Sequence, residues 1–471
     1  MKLDLILRNG KIVTPTGIVK GDVGISGGKI SAIGKISAKN PAAAAERDCA
    51  GLFILPGAID MHVHFRDPGF PEKEDFKSGS RAAVAGGITT VIDMPNTNPP
   101  TLTCAALEEK RKIAAEKSLC NYGFFFGFSG DNFDEIKRAK NIAGVKLYMG
   151  SSTGGLLVQH HHAISKLLDM GKFVIVHAES EAIIRENAEK YKDSTDPSVH
   201  SLIRSSAAAY EATKEILHLA KKHNARVHIT HVSTAEEVLE LRKFKSEKIS
   251  ADCTPHHLFL TQAAYAERGN FVKMNPPLRT NGDRRALWTG LKEGLIQAVA
   301  SDHAPHTKAE KEQPYSQAPA GVPGVETLLP LLLDAVNHGE LSLRDVARIT
   351  AENPAALLHI RGKGRLEVGF DADLVAVDMN KEMKVDAAHL FTKCGWSPFS
   401  GWKLKGWPVI TVVGGQVAFE YGEINSSLLR GRTRLVTAPR HGSAHGASAE
   451  LRRVPREARA ANERLCREVS F

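Results

Sequence analysis

The sequence lacks the features that mark secreted, disulfide-bonded or membrane-spanning proteins. Its 471 residues contain six cysteines, none of them in a C-x-x-C pair, so neither a disulfide framework nor a thiolate metal site is indicated. No apolar run approaches the roughly 18 residues that a membrane-spanning helix needs. The start, MKLDLILRNGKIV, alternates apolar and polar residues and has no signal-peptide core. We therefore expect a cytoplasmic protein without a membrane segment.

Excess positive charge is also missing from most of the chain. The formal net charge is +9, but residues 430–471 hold ten arginines, four glutamates and no lysine, a net of +6. The remaining residues carry only +3, which gives little support for nucleic-acid binding by the folded part. We expect no nucleic-acid partner, and we predict a partly disordered, Arg/Ala-rich tail over residues 426–471.

Short alternating strands with glycine turns occupy both ends of the folded part. Residues 1–52 include LILRNGKIV and GISGGKISAIG, and residues 361–425 return to this pattern in WPVITVVGGQVAFE. We predict that the two ends together form one small β-sandwich around a central domain.

Eight short apolar runs recur in the centre, separated by helical stretches such as CAALEEKRKIAAEK and SSAAAYEATKEILHLAKKH. The runs are LFILPGAIDMHVH, ITTVIDMPN, YGFFFGF, GVKLYMG, KFVIVHAE, RVHITHVS, KISADCTPHH and LIQAVASDHAPH. Eight strands alternating with helices predict an α/β fold, a (β/α)8 TIM-type barrel over residues 53–360. A doubly wound open sheet is the alternative, but no G-x-G-x-x-G follows the first strand.

Residues that suit a metal site stand where these runs end, which is where barrels of this kind keep their active sites. His62 and His64 lie one residue apart, so a strand points both side chains to the same face. Further candidates at the ends of later runs are Lys146, His177, His231 and Asp302. A single such histidine is commonly a hydrogen-bonded core residue, but the recurrence at successive strand ends indicates a site for Zn²⁺ or a similar ion.

Seven segments resemble the motifs of one enzyme family, in the same order along the chain. They are DMHVHFRDPG, MPNTNPP, GVKLYMG, VIVHAE, ITHVST, MNPPLR and SDHAPH. Together they are similar to the dihydroorotases, a cyclic amidohydrolase branch of the amidohydrolase superfamily, over about residues 1–425. The resemblance implies a metal-dependent hydrolase that acts on the C–N bond of a cyclic amide.

The resemblance also implies two Zn²⁺ ions per subunit. One ion would be held by His62, His64 and Asp302, the other by His177 and His231, and an N6-carboxylated Lys146 would bridge the two. Protonated lysine would be repelled by two dications, whereas neutral lysine and CO₂ give an anionic carbamate. Some members bridge with an aspartate instead, but no acidic residue follows Lys146 within ten positions. Asp60 is expected to support a ligand as a neighbouring carboxylate.

The reaction implied by the resemblance is reversible. Hydroxide held between the metals opens the ring amide of L-dihydroorotate, with Asp302 as general base and then general acid. The reverse reaction closes N-carbamoyl-L-aspartate with release of water, a step of de novo pyrimidine (UMP) biosynthesis. The small-molecule substrate carries an exocyclic carboxylate, which matches the planar fork of arginine. The residues implied to bind it are Arg66, Asn96, Asn275 and His306.

Other functions remain open at this point. An allantoinase or a hydantoinase of the dihydropyrimidinase type would keep the fold and metals, but a ring without a carboxylate does not need Arg66. A metal-free relative that only assembles with another pyrimidine enzyme would have lost ligands, whereas every expected ligand position is filled. Nucleic-acid binding by the tail would be salt-sensitive. For assembly, we expect either a homodimer or association with other pyrimidine enzymes.

Overall fold

The structure, a computed structural model, describes residues 3–37, 43–152 and 154–429. Nearly all of the tail predicted over residues 426–471 lies outside the described residues, so its disorder stays a prediction. No helix within the described ranges is long and apolar enough to cross a membrane.

The described chain contains 17 strands and 15 α-helices. The strands are β1 (Leu5–Thr14), β2 (Gly17–Ser26), β3 (Lys29–Gly34), β4 (Ala45–Asp48), β5 (Phe53–Pro56), β6 (Ala58–Val63), β7 (Ile88–Asp93), β8 (Asn121–Gly127), β9 (Gly144–Tyr148), β10 (Phe173–His177), β11 (Arg226–Ile229), β12 (Ile249–Cys253), β13 (Ala298–Val299), β14 (Leu374–Lys384), β15 (Lys403–Val413), β16 (Gln416–Glu420) and β17 (Glu423–Ile424). The helices are α1 (Phe76–Ala85), α2 (Cys104–Lys117), α3 (Phe133–Arg138), α4 (His161–Asp169), α5 (Glu181–Lys190), α6 (His200–Ile203), α7 (Ser206–Lys222), α8 (Ala235–Lys243), α9 (Pro255–Phe259), α10 (Tyr265–Arg268), α11 (Asn281–Lys292), α12 (Lys308–Lys311), α13 (Leu328–Asn337), α14 (Leu343–Ala347) and α15 (Asn353–Leu357).

Eight parallel strands, β6 to β13, form the predicted barrel in chain order. Almost all of their residues are buried, which explains why their sequences are nearly continuous apolar runs. A bridge between Val63 and His303 brings the end of the last strand back to the first. The two helical stretches singled out in the sequence are α2 and α7. The predicted (β/α)8 fold is confirmed.

The second sheet is built from both ends of the chain, as predicted. Its strands run in the order β17-β16-β15-β14-β5-β1-β2-β3, and β4 also pairs with β1. It encloses a hydrophobic cluster of its own, to which Leu7, Val23 and Ile54 contribute from one end of the chain and Leu374 and Val412 from the other.

The run LFILPGAIDMHVH is two strands, so its prediction as a single barrel strand is wrong. Residues 53–56 pair with β1 and β14 of the outer sheet, whereas residues 58–63 pair with β7 in the barrel. The chain changes sheets at Gly57, whose N–H donates to the carbonyl of Asp373 at 2.9 Å. A side chain at Gly57 would collide with Thr89, since a Cβ there would lie 2.8 Å from the Cβ of Thr89. The uninterrupted apolar sequence gives no sign that its two halves pair with strands of different sheets.

Threonines placed just beyond three barrel strands start the next helix. The hydroxyls of Thr234, Thr254 and Thr307 accept hydrogen bonds from backbone N–H groups at 3.2, 3.4 and 3.3 Å and cap α8, α9 and α12. Such caps satisfy backbone donors that a helix start leaves free. The loops that carry the polar residues at the strand ends are therefore anchored within a few residues.

We predict that Gly57→Ala destabilises the fold by about 1 to 3 kcal/mol, because the added Cβ forces the rigid Thr89 side chain aside. Gly282→Ala is the matched control, since a Cβ there meets only the hydroxyl of Thr280 at 3.5 Å. The free energy of unfolding from urea titration checks both variants. Equal stability of the two would contradict the steric role of Gly57.

Candidate active site

His62, His64 and Asp302 converge at the carboxyl end of the barrel. The Nε2 atoms of His62 and His64 lie 3.2 and 3.1 Å from Oδ1 of Asp302, and all three side chains are buried. Ligand atoms around a tetrahedral Zn²⁺ with bonds of about 2.0 to 2.2 Å stand roughly 3.3 Å apart. His231, just beyond β11, also belongs to this group: possible ligand atoms of His62, His231 and Asp302 all lie within 4.8 Å of one another. This donor set can hold a metal ion.

The second predicted ligand pair lies against the first. Nδ1 of His177 is 3.0 Å from Nε2 of His231, and the ring centroids of His62 and His231 are 5.4 Å apart. The Nζ of Lys146 is 3.3 Å from the hydroxyl of Thr230, which in turn is 3.0 Å from Nε2 of His231. The structure therefore brings together all six side chains for which metal ligation was predicted.

The surroundings of three of these histidines favour the neutral imidazole. Burial lowers the pKa values of His62, His177 and His231. The Nδ1–H of His64 donates to Oδ1 of Asn96 at 2.6 Å, which orients the ring so that Nε2 faces Oδ1 of Asp302 at 3.1 Å. Neutral imidazole is the form that binds metals.

Glu179 fixes the tautomer of His177 in the same way. Its carboxylate accepts from Nε2 of His177 at 2.9 Å, so the lone pair stands at Nδ1, the atom that faces His231. Burial opposes ionisation of Glu179, but Arg204 and His177 outweigh it and hold the pKa of that carboxyl well below its usual range. Arg204 donates from Nε at 2.9 Å.

Buried carboxylates also hold the backbone beside the histidines. Oδ1 of Asp60 accepts from the N–H groups of His62 and Ser301 at 3.2 and 3.0 Å, the supporting position expected from sequence. Oδ1 of Asp252 accepts from the N–H of His231 at 2.6 Å. These hydrogen bonds fix the backbone at His62, His231 and Ser301, next to the metal cluster.

Three site residues have positive φ angles, at 62° for Arg66, 41° for His231 and 47° for Asp302. Side chains other than glycine seldom adopt this region, and strained backbone of this kind concentrates at functional sites.

Arg66 and His306 meet above the first ligand set. Nε of Arg66 donates to the carbonyl of Pro305 at 3.1 Å, and its Nη2 lies 3.2 Å from Nε2 of His306. Both side chains are buried, and within the described part of the chain no carboxylate oxygen lies within 4.0 Å of the guanidinium. Arg66 thus brings a positive charge without an ion-pair partner into the site.

The two asparagines predicted to bind substrate have different surroundings. The amide oxygen of Asn96 is committed to His64, whereas Asn275 is half-buried and its Oδ1 lies 2.8 Å from Nε2 of His200. The sequence interpretation missed Glu179, Asp252 and His200. A carboxylate at the second position after His177 was the available signal for Glu179, since both residues then share a strand face.

The sequence matches the Amidohydrolase family over residues 53–418, and residues 1–54 match the N-terminal domain of the urease alpha-subunit. The chain belongs to the amidohydrolase family.

Within that family, relatives named dihydroorotase align with nearly the whole chain. The one from Methanosarcina acetivorans is 38% identical over 446 residues, covering 91% of this chain and 94% of the relative. The one from Pyrococcus horikoshii is 38% identical over 423 residues, covering 90% and 94%. Among solved structures, the L-hydantoinase (dihydropyrimidinase) of Arthrobacter aurescens superposes with a TM-score of 0.85 at 32% identity, over 90% of this chain and 97% of that one. The predicted resemblance to dihydroorotases is confirmed.

We predict that Glu179→Gln weakens binding of divalent metal by roughly 10- to 100-fold, because a neutral amide no longer fixes His177 or raises its basicity. Competition with a chromophoric chelator measures the affinity. Glu186→Gln on the exposed face of α5 is the control and should leave affinity unchanged. Unaltered affinity in the Glu179 variant would rule out this role.

Proposed function

We propose that the protein is a dihydroorotase that interconverts N-carbamoyl-L-aspartate and L-dihydroorotate in de novo pyrimidine synthesis. The observation that carries the proposal is the buried guanidinium of Arg66, which has no carboxylate partner within the described residues. A buried charge is costly unless it is paired. The exocyclic carboxylate of dihydroorotate supplies the missing partner, and dihydroorotase is the name of the two relatives of 38% identity described above.

The alternative is a hydantoinase or dihydropyrimidinase, the names of the solved structures that this fold resembles. A hydantoin or dihydrouracil ring has no carboxylate to pair with Arg66. The charge of Arg66 therefore favours the anionic ring.

Two Zn²⁺ ions would be held by the cluster described above, with His62, His64 and Asp302 around one and His177 and His231 around the other. When bound, zinc polarises a carbonyl oxygen and lowers the pKa of a bound water to about 7. The imidazole nitrogens and the carboxylate of Asp302 are donors that suit that ion.

Asp302 is the proposed general base and acid. Its positive φ turns the carboxylate into the barrel mouth beside His62 and His64. A carboxylate at this point takes a proton as the ring amide is attacked and returns it to the leaving nitrogen. Arg66, His306, Asn96 and Asn275 hold the substrate while this proton moves.

Lys146 is the proposed carboxylated bridge. Its side chain is buried, the nearest hydrogen-bond partner is the hydroxyl of Thr230, and no ion pair compensates it within the described ranges. Burial lowers the pKa of Lys146 to about 7, so a large fraction is the neutral amine that reacts with CO₂. The carbamate makes this buried side chain an anionic oxygen ligand.

The cellular setting is also proposed. The five cysteines in the described part are free thiols, four of them buried, which suits a reducing, cytoplasmic compartment. We keep a homodimer or an assembly with other pyrimidine enzymes as the expected state, which sedimentation of the purified protein distinguishes from a monomer.

Metal-replete protein should turn over L-dihydroorotate in preference to hydantoin, dihydrouracil and allantoin. Arg66→Ala should raise KM for dihydroorotate and lower kcat/KM by roughly 100-fold or more, the loss of a buried charge-assisted pair. Arg66→Lys keeps the positive charge but lacks the planar guanidinium that binds a carboxylate through two hydrogen bonds, so it should recover only part of the lost kcat/KM. Steady-state kinetics with equal metal content in all variants is the measurement. Preference for an uncharged ring would favour the hydantoinase alternative.

Metal-stripped protein should recover zinc and activity faster in bicarbonate than in CO₂-free buffer. Recovery should quicken as pH rises through about 7, because only neutral Lys146 reacts with CO₂. Carbon-13 NMR after labelling with [¹³C]bicarbonate should show one carbamate signal that Lys146→Gln removes. Lys110 is an internal control, since it is equally buried but paired with Asp93 and should give no signal. Recovery independent of bicarbonate would eliminate the carbamate.

A further inference from the structure

A short helical turn, α6, lies between the metal cluster and the half-buried Asn275. It begins at His200 and ends before Arg204, and these two side chains contact different parts of the site. The hydroxyl of Ser201 donates to the carbonyl of Leu278 at 2.8 Å, which joins α6 to the loop of Asn275. Arg204 carries the contact with Glu179 and thereby with His177. What His200 does on the other side is unassigned.

Hydrogen bonding fixes the tautomer of His200. Its Nε2 lies 3.1 Å from the carbonyl oxygen of Met274 and 2.8 Å from Oδ1 of Asn275, and its Nδ1 lies 3.0 Å from the hydroxyl of Tyr315. A carbonyl oxygen can only accept, so the proton is on Nε2 and donates to both oxygens. Nδ1 then accepts from the hydroxyl of Tyr315. Burial, with Arg204 and Lys273 nearby, lowers the pKa of His200 to about 3, which keeps the ring neutral.

The tautomer of His200 determines the orientation of the Asn275 amide. Because Nε2–H requires an acceptor, the oxygen of Asn275 faces His200 and the NH₂ group faces away from it. Within the described ranges this NH₂ group makes no hydrogen bond, and the side chain is only half-buried. The amide therefore offers two donors and no free acceptor on its open side.

We propose that His200 is a positioning residue that locks Asn275 as a hydrogen-bond donor to the substrate. The site then selects a ring that presents an oxygen acceptor, a carbonyl or a carboxylate, at this point and disfavours one that presents an N–H. The inference rests on the proposed function for the identity of the ring. Tyr315 is part of the same hydrogen-bond chain: its hydroxyl donates to Nδ1 of His200, and Nε2–H of His200 donates to Oδ1 of Asn275.

A double-mutant cycle tests whether His200 acts through Asn275. His200→Leu removes the donor, and we expect KM for dihydroorotate to rise about tenfold, the loss of one oriented hydrogen bond, with kcat within a factor of two. Asn275→Ala should raise KM by a similar factor. In the double variant the rise should equal that of Asn275→Ala alone, since His200 then has nothing to orient. His200→Gln, whose amide also donates and accepts, should recover part of the loss.

Two controls separate positioning from damage to the fold. His218→Leu replaces an exposed histidine of α7 and should leave KM unchanged. Zinc content and the free energy of unfolding should be the same in His200→Gln as in the unaltered protein, because the link from α6 to the metal side runs through Arg204. Tyr315→Phe, the removal of one oxygen, should raise KM about two- to fivefold, and this rise should also vanish in the Asn275→Ala background.

The outcomes distinguish the two proposals. Multiplicative rises in KM in the double variant, or an unchanged KM in both His200→Leu and Tyr315→Phe, would overturn the role of His200 while dihydroorotate turnover stands. Absence of dihydroorotate turnover by the unaltered, zinc-loaded protein would overturn the proposed function itself. In that case the cycle is repeated with whichever ring is turned over, and non-additivity there would still support the lock on Asn275.

Discussion

Buried carboxylates that accept backbone N–H groups are the constraint on which the rest of the site depends. Asp60, Asp93 and Asp252 are each buried, and they hold the chain beside His62, beyond His64 and at His231. In a dry interior such bonds are strong, and a carboxylate left without them is costly. The histidines therefore have little freedom in backbone or ring, and their nitrogen atoms meet at spacings that suit metal coordination.

This constraint also explains which parts of the site the sequence could predict. Residues at the ends of parallel strands meet in space wherever the strands form a closed barrel, so His62 and Asp302 are neighbours despite 240 positions of separation. Their positions at the ends of apolar runs are visible without a structure. The fold class and the ligand cluster follow from that regularity.

The parts that could not be predicted depend on contacts between residues that are distant in sequence, and such contacts produce no periodic pattern of apolar residues. Gly57 divides one apolar run between two sheets because Thr89 and Asp373, both distant in sequence, lie against it. His200 begins a helix of only four residues within a polar connection, where no hydrophobic pattern exists. Its importance comes from a tautomer set by Met274 and Asn275, and that is a property of three-dimensional hydrogen bonding.

The division of the chain at Gly57 has a consequence for synthesis on the ribosome. Pro56 of β5 pairs with Leu374 of β14, about 320 residues later, and the whole barrel lies between them. At roughly 5 to 20 residues per second, the edge of β5 waits about 15 to 60 seconds for its partner. During that interval the N-terminal strands expose an unpaired edge of the kind that pairs with other chains. The unpaired edge of β5 is thus exposed to other chains for as long as the barrel is being synthesised.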